Sequence, residues 1–475
     1  MNKLGYALIL SVLLASVVPV TAEENKQELY SEKNEKEIDK LTEQQIPQTP
    51  DGFVADPYAG EGELVTVDWI KSFNDPTLLK LIQEAQMNNK DLQIAAARVE
   101  QALGSSAKAG ATLVPSVDLA AGGSRAGNVE SGDQSASLGL GLQFNWEIDL
   151  WGRLRSGKRA AIASARAVEA DFVYARHSLA AATAKGYFTA INANLQIQVA
   201  KENLEILEKT MKIVDVKHEN GMISAQDVAL NRSDLAVARE RLVDVEGAQR
   251  EAVRSLELLL GRYPQAELEV RQTLPDTPPL PPSGLPSELL ERRPDIVAAD
   301  QRVAAAFNRV KESKAARLPR ISLSSEIGGS SSSLTNLLNP MNVAWQLASN
   351  LLMPIFDGGS RKAQVEISTA EQKESLAAYG KTALTAFGEV ESSLDQGYVL
   401  HQRELELKTA VTEAEKALRI AQLRYDEGEI ELIDLLSIQT RVITAKSNLI
   451  SVQSLVLQQR INLFIALGGG WEGLQ

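Results

Sequence analysis

Apolar and polar positions along this chain recur with two different periods. Leu138, Leu140, Leu142, Phe144 and Trp146 alternate with Ser137, Gly139, Gly141, Gln143 and Asn145. Val343, Trp345, Leu347 and Leu351 alternate in the same way with Ala344, Gln346, Ala348 and Asn350. A period of two predicts strands with one apolar face. Residues 113–120 and 320–327 are their weaker partners, joined to them by Gly/Ser/Asn-rich connections at 122–132 and 328–342. The pattern predicts two hairpins, at about 113–147 and 319–354. Strands of about 10 residues are long enough to cross a bilayer at a tilt. A soluble hairpin packed on helices would alternate equally well.

Elsewhere the period is helical. Asn74-Asp75-Pro76 marks a helix start with Pro at the first helical position, and Leu78, Leu79, Ile82 and Ala85 follow on one face of a helical stretch over 69–110. Ile197, Ala200, Leu204, Leu207, Met211 and Val214 fall at alternating spacings of three and four, as do Leu407, Val411, Ala414, Leu418 and Ala421. Such seams specify left-handed coiled-coil packing. No proline lies between Pro115 and Pro264 or after Pro354, so the spacing predicts unbroken helices over 152–218 and 358–427. Each would be roughly 100 Å long at about 1.5 Å per residue. Gly221 and Gly428 then turn the chain, because glycine takes the left-handed conformation past a helix end cheaply. Return helices are predicted over 225–260 and 431–467.

These elements occur twice. Lys217-His-Glu-Asn-Gly221-Met-Ile-Ser-Ala-Gln-Asp227 returns as Arg424-Tyr-Asp-Glu-Gly428-Glu-Ile-Glu-Leu-Ile-Asp434 at an offset of 207. Upstream, Asp91 to Val99 pairs with Asp295 to Val303, and Pro115 with Pro319, at an offset of 204. A unit near 200 residues is far longer than a solenoid repeat, so this is a duplicated domain. The length difference lies between Pro115 and Gly152 in the first copy and between Pro319 and Gly359 in the second. The expected organisation is a signal peptide (1–22), an irregular solvated leader (23–68), repeat 1 (69–264), a stiff Pro-rich linker (265–286), repeat 2 (287–470) and a short tail (471–475).

Composition narrows the class. Lys3, the apolar stretch 4–20 and Val20-Thr21-Ala22 form an export signal. The chain has no cysteine, so it has neither disulfides nor a thiolate metal site nor an acylated N-terminal Cys. A net charge of -13 argues against nucleic acid as a partner. Past the signal, no stretch is expected to form a transmembrane helix, so membrane entry requires a closed β-barrel. Enzyme chemistry finds no support. His177, His218 and His401 are scattered along predicted helices, where surface positions are expected. Gly380-Lys-Thr382 lacks the leading Gly of a phosphate loop, since position 375 is Ser. No Gly-x-Ser-x-Gly elbow occurs. No catalytic residue, metal site or cofactor is expected.

Two hairpins give four strands per chain, whereas the smallest membrane barrels have eight. An exported chain of this kind must share its barrel with other copies. At this point the residues reach a family. Leu289-Leu-Glu-Arg292-Arg293-Pro294-Asp295-Ile closely resembles the Leu-Leu-x-Arg-Arg-Pro-Asp-Ile signature of the outer membrane factors, the TolC/OprM-like exit ducts of tripartite efflux pumps. Trp146-Glu-Ile-Asp-Leu-Trp-Gly-Arg153 and Pro354-Ile-Phe-Asp-Gly-Gly359 resemble that family's strand exits. Tyr425-x-x-Gly428 with Asp434-Leu-Leu436 looks like the turn at the duct's periplasmic tip. The resemblance runs from about 69 to 470. It implies an α+β membrane protein: a homotrimer with a 12-stranded β-barrel in the outer membrane lipid, continued by a helical tube in the periplasm. It also implies two partners, a periplasmic adaptor and an inner-membrane pump.

The resemblance further implies a gate. Asp227 and Asp434, each six residues after a turn glycine, would place six carboxylates around the trimer's closed end. Such acids repel one another and attract cations, so protonation or a bound cation would favour closure. Offsetting the helix dipole is the plainer role for both. Tyr425 resembles a gate tyrosine that hydrogen-bonds across helices; coiled-coil packing is its plainer role. Two departures stand out: Ser437 replaces a usual gate carboxylate, and Ile430 stands where some relatives have Arg. The tips at Gly221-Met222 and Gly428-Glu429 are the expected adaptor contact. Competing readings are a periplasmic coiled-coil scaffold with no pore and a general diffusion porin with large constitutive conductance. The cargo, whether drug, metal ion or polypeptide, is not legible.

Overall fold

The computed structural model describes residues 36, 38–46, 50, 52–55, 69–127, 134–281, 286–337 and 339–469. The signal, most of the leader and the tail therefore lie outside the described residues. After a short helical turn at Trp69–Ser72, the chain forms α1 (Pro76–Asn88), α2 (Lys90–Ala111), β1 (Ser116–Gly127), β2 (Gln134–Ile148), α3 (Arg153–Glu219) and α4 (Ala225–Leu259). Repeat 2 follows as α5 (Pro294–Ala315), β3 (Arg320–Ser331), β4 (Val343–Leu352), α6 (Ser360–Asp426) and α7 (Leu432–Ala466). Two compact units arise, one from 1–47, 101–167 and 299–381 and one from 48–100, 168–298 and 382–475.

The duplication is kept to the residue. Bounds of α2 and β1 recur in α5 and β3 at 204; those of α3 and α4 recur in α6 and α7 at 207. The three extra residues sit at the strand exit, where 149–152 separates β2 from α3 and 353–359 separates β4 from α6. Asp149 caps the first exit, accepting from Leu154 N and Arg155 N at 3.0 and 2.9 Å. Asp357 does the same in the longer exit, accepting from Gly359 N and Arg361 N. The helix start is therefore conserved while the approach to it is not.

The four strands form one antiparallel sheet in the order β1-β2-β3-β4. Its register collects Leu119, Leu142, Ile327 and Trp345 on one face and sets Asp118, Gln143, Glu326 and Gln346 in a row on the other. The apolar residues of the first face are exposed, Leu119 at 71% and Trp345 at 69%. An apolar sheet face open to the surroundings is what a bilayer covers. Among the described residues the outer edges of β1 and β4 have no strand partner.

Several expectations need correction. The strand expected at 113–120 starts only at Ser116, because α2 runs to Ala111 and turns before Pro115. The connections expected at 122–132 and 328–342 are partly strand: β1 runs to Gly127 and β3 to Ser331, and a short helix at Leu334–Leu337 follows. Small residues there keep ladder hydrogen bonds, which hydropathy does not report. The leader is not simply solvated. Residues 38–43 are helical, Ile38 and Thr42 are buried, and a Cβ at Gly380 would lie 2.9 Å from the Gln45 carbonyl. Gly380 thus leaves room for a crossing segment. Helix α7 is long and apolar enough by composition to span a bilayer, contrary to expectation; it buries Leu435, Leu436, Val452, Leu457 and Ile461 against neighbouring helices. His177 is buried, not on the surface. Burial and the charge of Arg176 push it down to about 3, so it stays neutral. His218 and His401 are exposed as expected.

The main core gathers Trp69, Phe73, Leu78 and Ile82 with Tyr187, Phe188 and Ile191 of α3 and Leu457, Ile461 and Phe464 of α7. Asp75 anchors it. Its carboxylate accepts from Thr77 N and Leu78 N as the N-cap of α1, and from Tyr187 Oη and Arg271 Nη1 at 3.1 and 3.0 Å.

Candidate gate and docking tip

The coiled-coil seams behave as their spacing predicts. Ala200, Leu207 and Val214 are buried, as are Ala421 and Tyr425. Toward the tip, the two repeats share one cluster that includes Leu207, Val214, Val228, Ala421, Tyr425, Leu432, Leu435 and Leu436. Ile430 packs against it, which is the use this chain makes of a position where charge was a possibility.

Both turns are the same structure. Gly221 and Gly428 take φ of 68° and 77°. Gly221 N donates to His218 O and Met222 N to Lys217 O, at 2.9 and 2.8 Å; Gly428 N donates to Tyr425 O and Glu429 N to Arg424 O, at 3.1 and 2.8 Å. These paired bonds satisfy the last carbonyls of each long helix, and the left-handed residue they require is why glycine stands there. Nothing lies within 4 Å of a Cβ built on either glycine, and Met222 is 73% exposed. Both turns thus present small, open ends.

The two acids differ in their engagement. Asp227 closes a capping box: Ser224 Oγ accepts from Asp227 N at 3.2 Å, and Ser224 N donates to Asp227 Oδ2 at 3.0 Å. Ser224 Oγ also donates to Oδ2, at 2.8 Å. In repeat 2 the equivalent N-cap is Glu431, which makes no side-chain cap bond. Asp434 is exposed and has no side-chain partner among the described residues. The plainer helix-start role is thus realised in full at Asp227, whereas the carboxylate of Asp434 is uncommitted. Ser437 is exposed one turn further along α7.

Within the single chain, no hydrogen bond joins the Tyr425 hydroxyl to another helix among the described residues, and the group is buried. What crosses from repeat 1 is Lys217, with Nζ 4.0 Å from the ring centroid and 3.5 Å from Tyr425 O. A cation over a ring face is attracted by the ring quadrupole. Burial, then the charges of Asp227 and Asp426, raise the phenol's pKa. The structure thus brings Tyr425 and Asp227 within electrostatic reach of each other. Sequence gives no signal for Lys217, because Tyr425 lies 208 residues away; its repeat equivalent, Arg424, instead pairs with Glu429 at 3.0 Å.

The Arg-Arg-Pro-Asp motif lies elsewhere. Arg293 is 2% exposed; its Nε and Nη2 donate to the two oxygens of Asp295, and its Nη1 donates to Glu389 Oε2 at 2.6 Å and to Ala466 O at 3.3 Å. Pro294 opens α5, and Arg292 packs beside Gly468. The motif is a bracket joining α5 to α6 and to the end of α7, with no part in the tip. No group of three or more His, Asp or Glu placed to hold a metal occurs among the described residues.

Similarity to known proteins agrees with this architecture. The profile of the family described as Outer membrane efflux protein matches residues 81–262 and 285–469, one match per repeat. The pyoverdine export outer membrane protein OpmQ of Pseudomonas aeruginosa is 34% identical over 422 residues, covering 85% of this chain and 87% of that protein. Among solved structures, the Campylobacter jejuni CmeC outer membrane channel matches with a TM-score of 0.83 at 26% identity, covering 90% of this chain and 93% of that one. The open state of the Neisseria gonorrhoeae MtrE outer membrane channel matches at 0.80 and 28% identity, over 90% and 98%.

Proposed function

This chain belongs to the outer membrane efflux protein family, and from that premise we propose that it is the exit duct of a tripartite pump, closed at its periplasmic tip when idle. It is a non-enzymatic efflux channel of the Gram-negative outer membrane, with a barrel shared by three chains and a periplasmic extension. In the proposal, a periplasmic adaptor docks on the turns at Gly221-Met222 and Gly428-Glu429 and links the duct to an inner-membrane pump. Cargo then passes without an energy source in the duct itself. One observation carries the reading: an exposed apolar sheet with two free edges and two 67-residue helices ending in open glycine turns.

Asp434 is the better gate acid. Repeated three-fold, an exposed carboxylate with no side-chain partner among the described residues of its chain raises mutual repulsion at a narrow opening and invites a cation between the copies. Asp227 already spends one oxygen on its capping box. Asp434→Ala is expected to weaken block by divalent cations in planar bilayers and, because the bridge a bound cation makes between copies is lost, to raise conductance in their presence, with Asp227→Ala changing both less. Equal conductance and block in wild type and the double variant would remove both acids from the gate. A large constitutive wild-type conductance would favour a porin, and none under any condition a scaffold.

OpmQ is named for pyoverdine export. At this identity the cargo does not transfer, because a wide duct with polar walls passes what its pump supplies. Drugs, metal ions and polypeptides all fit.

A further inference from the structure

Six repeats stand around the axis of a trimer, alternating repeat 1 and repeat 2. Each chain shows one of the two kinds of seam between them, the internal one. There α3 of repeat 1 meets α7 of repeat 2 through a neutral polar node and, further along α3, through an ion pair of Lys446 with Glu202 at 2.7 Å. Gln196 Nε2 donates to Ser447 O at 2.9 Å and to Ser451 Oγ at 3.1 Å, while Ser447 Oγ donates to Gln196 Oε1 at 2.7 Å. The second seam, between chains, brings α6 of one subunit against α4 of the next, since α6 is the copy of α3 and α4 the copy of α7.

The offset of 207 holds for contacts as well as for element bounds. Arg239 pairs with Glu208 at 3.4 Å in repeat 1, and their equivalents Lys446 and Glu415 pair at 3.2 Å in repeat 2. Both turn glycines and both pairs of turn bonds obey it too. Carried across by that offset, Gln196 becomes Arg403, Ser447 becomes Glu240 and Ser451 becomes Asp244. A neutral donor set opposite hydroxyls turns into a cation opposite two acids. Arg403, Glu240 and Asp244 are exposed in the single chain. Arg403 and Glu240 have no ion-pair partner among the described residues, and Asp244 has only Arg241 of its own helix, three residues away.

We propose that the seam between subunits is closed by an ionic node in which Arg403 of one chain bridges Glu240 and Asp244 of the neighbouring chain, where the internal seam uses Gln196 with Ser447 and Ser451. This rests on the trimeric channel. The two seams then differ at this position. A charged contact near the surface weakens as salt shortens the screening length, which is about 8 Å at physiological ionic strength, whereas the neutral node is indifferent. Salt would therefore loosen the seam between subunits at this node and leave the Gln196 node unchanged.

Because the chain has no cysteine, the test is clean. The pairs Arg403→Cys with Glu240→Cys and Arg403→Cys with Asp244→Cys are treated in the detergent-extracted full-length protein with a short bis-maleimide. Covalent dimers and trimers are expected on denaturing gels, absent from each single-cysteine variant. Gln196→Cys with Ser451→Cys should link within one chain and add no mass. A native trimer that gives no ladder from either pair would overturn the proposal alone; a native monomer would overturn it together with the shared barrel. As a second reading, Arg403→Glu should lower the fraction of trimer surviving dilution several-fold at low salt, and Asp244→Arg with Glu240→Arg should restore it. No loss on reversal, or loss without rescue, would also count against the node.

Discussion

Arg293→Ala is expected to lower subunit stability by about 3 kcal/mol, the usual consequence of removing one partner from a buried ion pair, and to deplete the assembled trimer. The guanidinium is nearly sealed from solvent and makes bonds to Asp295, Glu389 and Ala466 O. Burial pulls its pKa down, but its bonds to Asp295 and Glu389 and their charges outweigh that and hold it above the ordinary value. The truncated variant leaves the carboxylates of Asp295 and Glu389 without their shared cation and a helix-end carbonyl without its donor. Arg293→Lys should recover only part of the loss, because an ammonium cannot present the planar fork that meets Asp295 with two parallel bonds. Thermal denaturation of the extracted trimer measures both. A wild-type midpoint for Arg293→Ala would show that the bracket is ornamental.

Glu257→Gln is expected to cost about 2 kcal/mol near neutral pH, a typical value for hydrogen bonds to a charged group. This carboxylate is 2% exposed and accepts from Ala266 N, Glu267 N and Leu268 N at 2.8, 2.9 and 3.1 Å. Burial alone would raise its pKa, but the backbone donors of 265–268 outweigh it and hold the value below the ordinary one. A depressed carboxylate contributes stability that is present above the unfolded-state pKa and lost as pH falls through the folded one. The gap between wild type and Glu257→Gln should therefore be full at pH 7 and shrink only once the pH falls below the ordinary glutamate range. Melting curves from pH 7 to pH 3 decide it. A gap that does not change with pH would mean that the side chain acts through packing and not through its charge. The wider consequence concerns the Pro-rich linker. Residues 265–268 are strapped to α4 by this one side chain, and Leu268, Val270 and Leu274 pack against the core, so the segment is more than a stiff spacer.

Much was legible because its cause is local. The strands announced themselves through Leu138 to Trp146, since side chains alternate across any pleated strand. Long helices followed from proline-free seams, and their ends from Gly221 and Gly428, because only glycine takes a positive φ there without strain. The repeat offset located the second copy of each element. What failed to show were features in which one residue serves a distant one. Arg293 stands 96 residues from Glu389, and no periodicity links them. His177 looks like any polar residue on a long helix until the neighbouring helices cover it. Lys217 finds Tyr425 only after two repeats pack.

The sequence by itself therefore determined the elements, their duplication, the turns and the need for a shared barrel, since each is dictated by a residue's own backbone preference or by a period along the chain. Tertiary structure alone decided which equivalent residues do the same work. Lys217 lies over the Tyr425 ring of the other repeat, while its equivalent Arg424 pairs with Glu429 of its own turn. Identical backbones at an offset of 207 carry different side chains, and free energy depends on which partners those side chains meet.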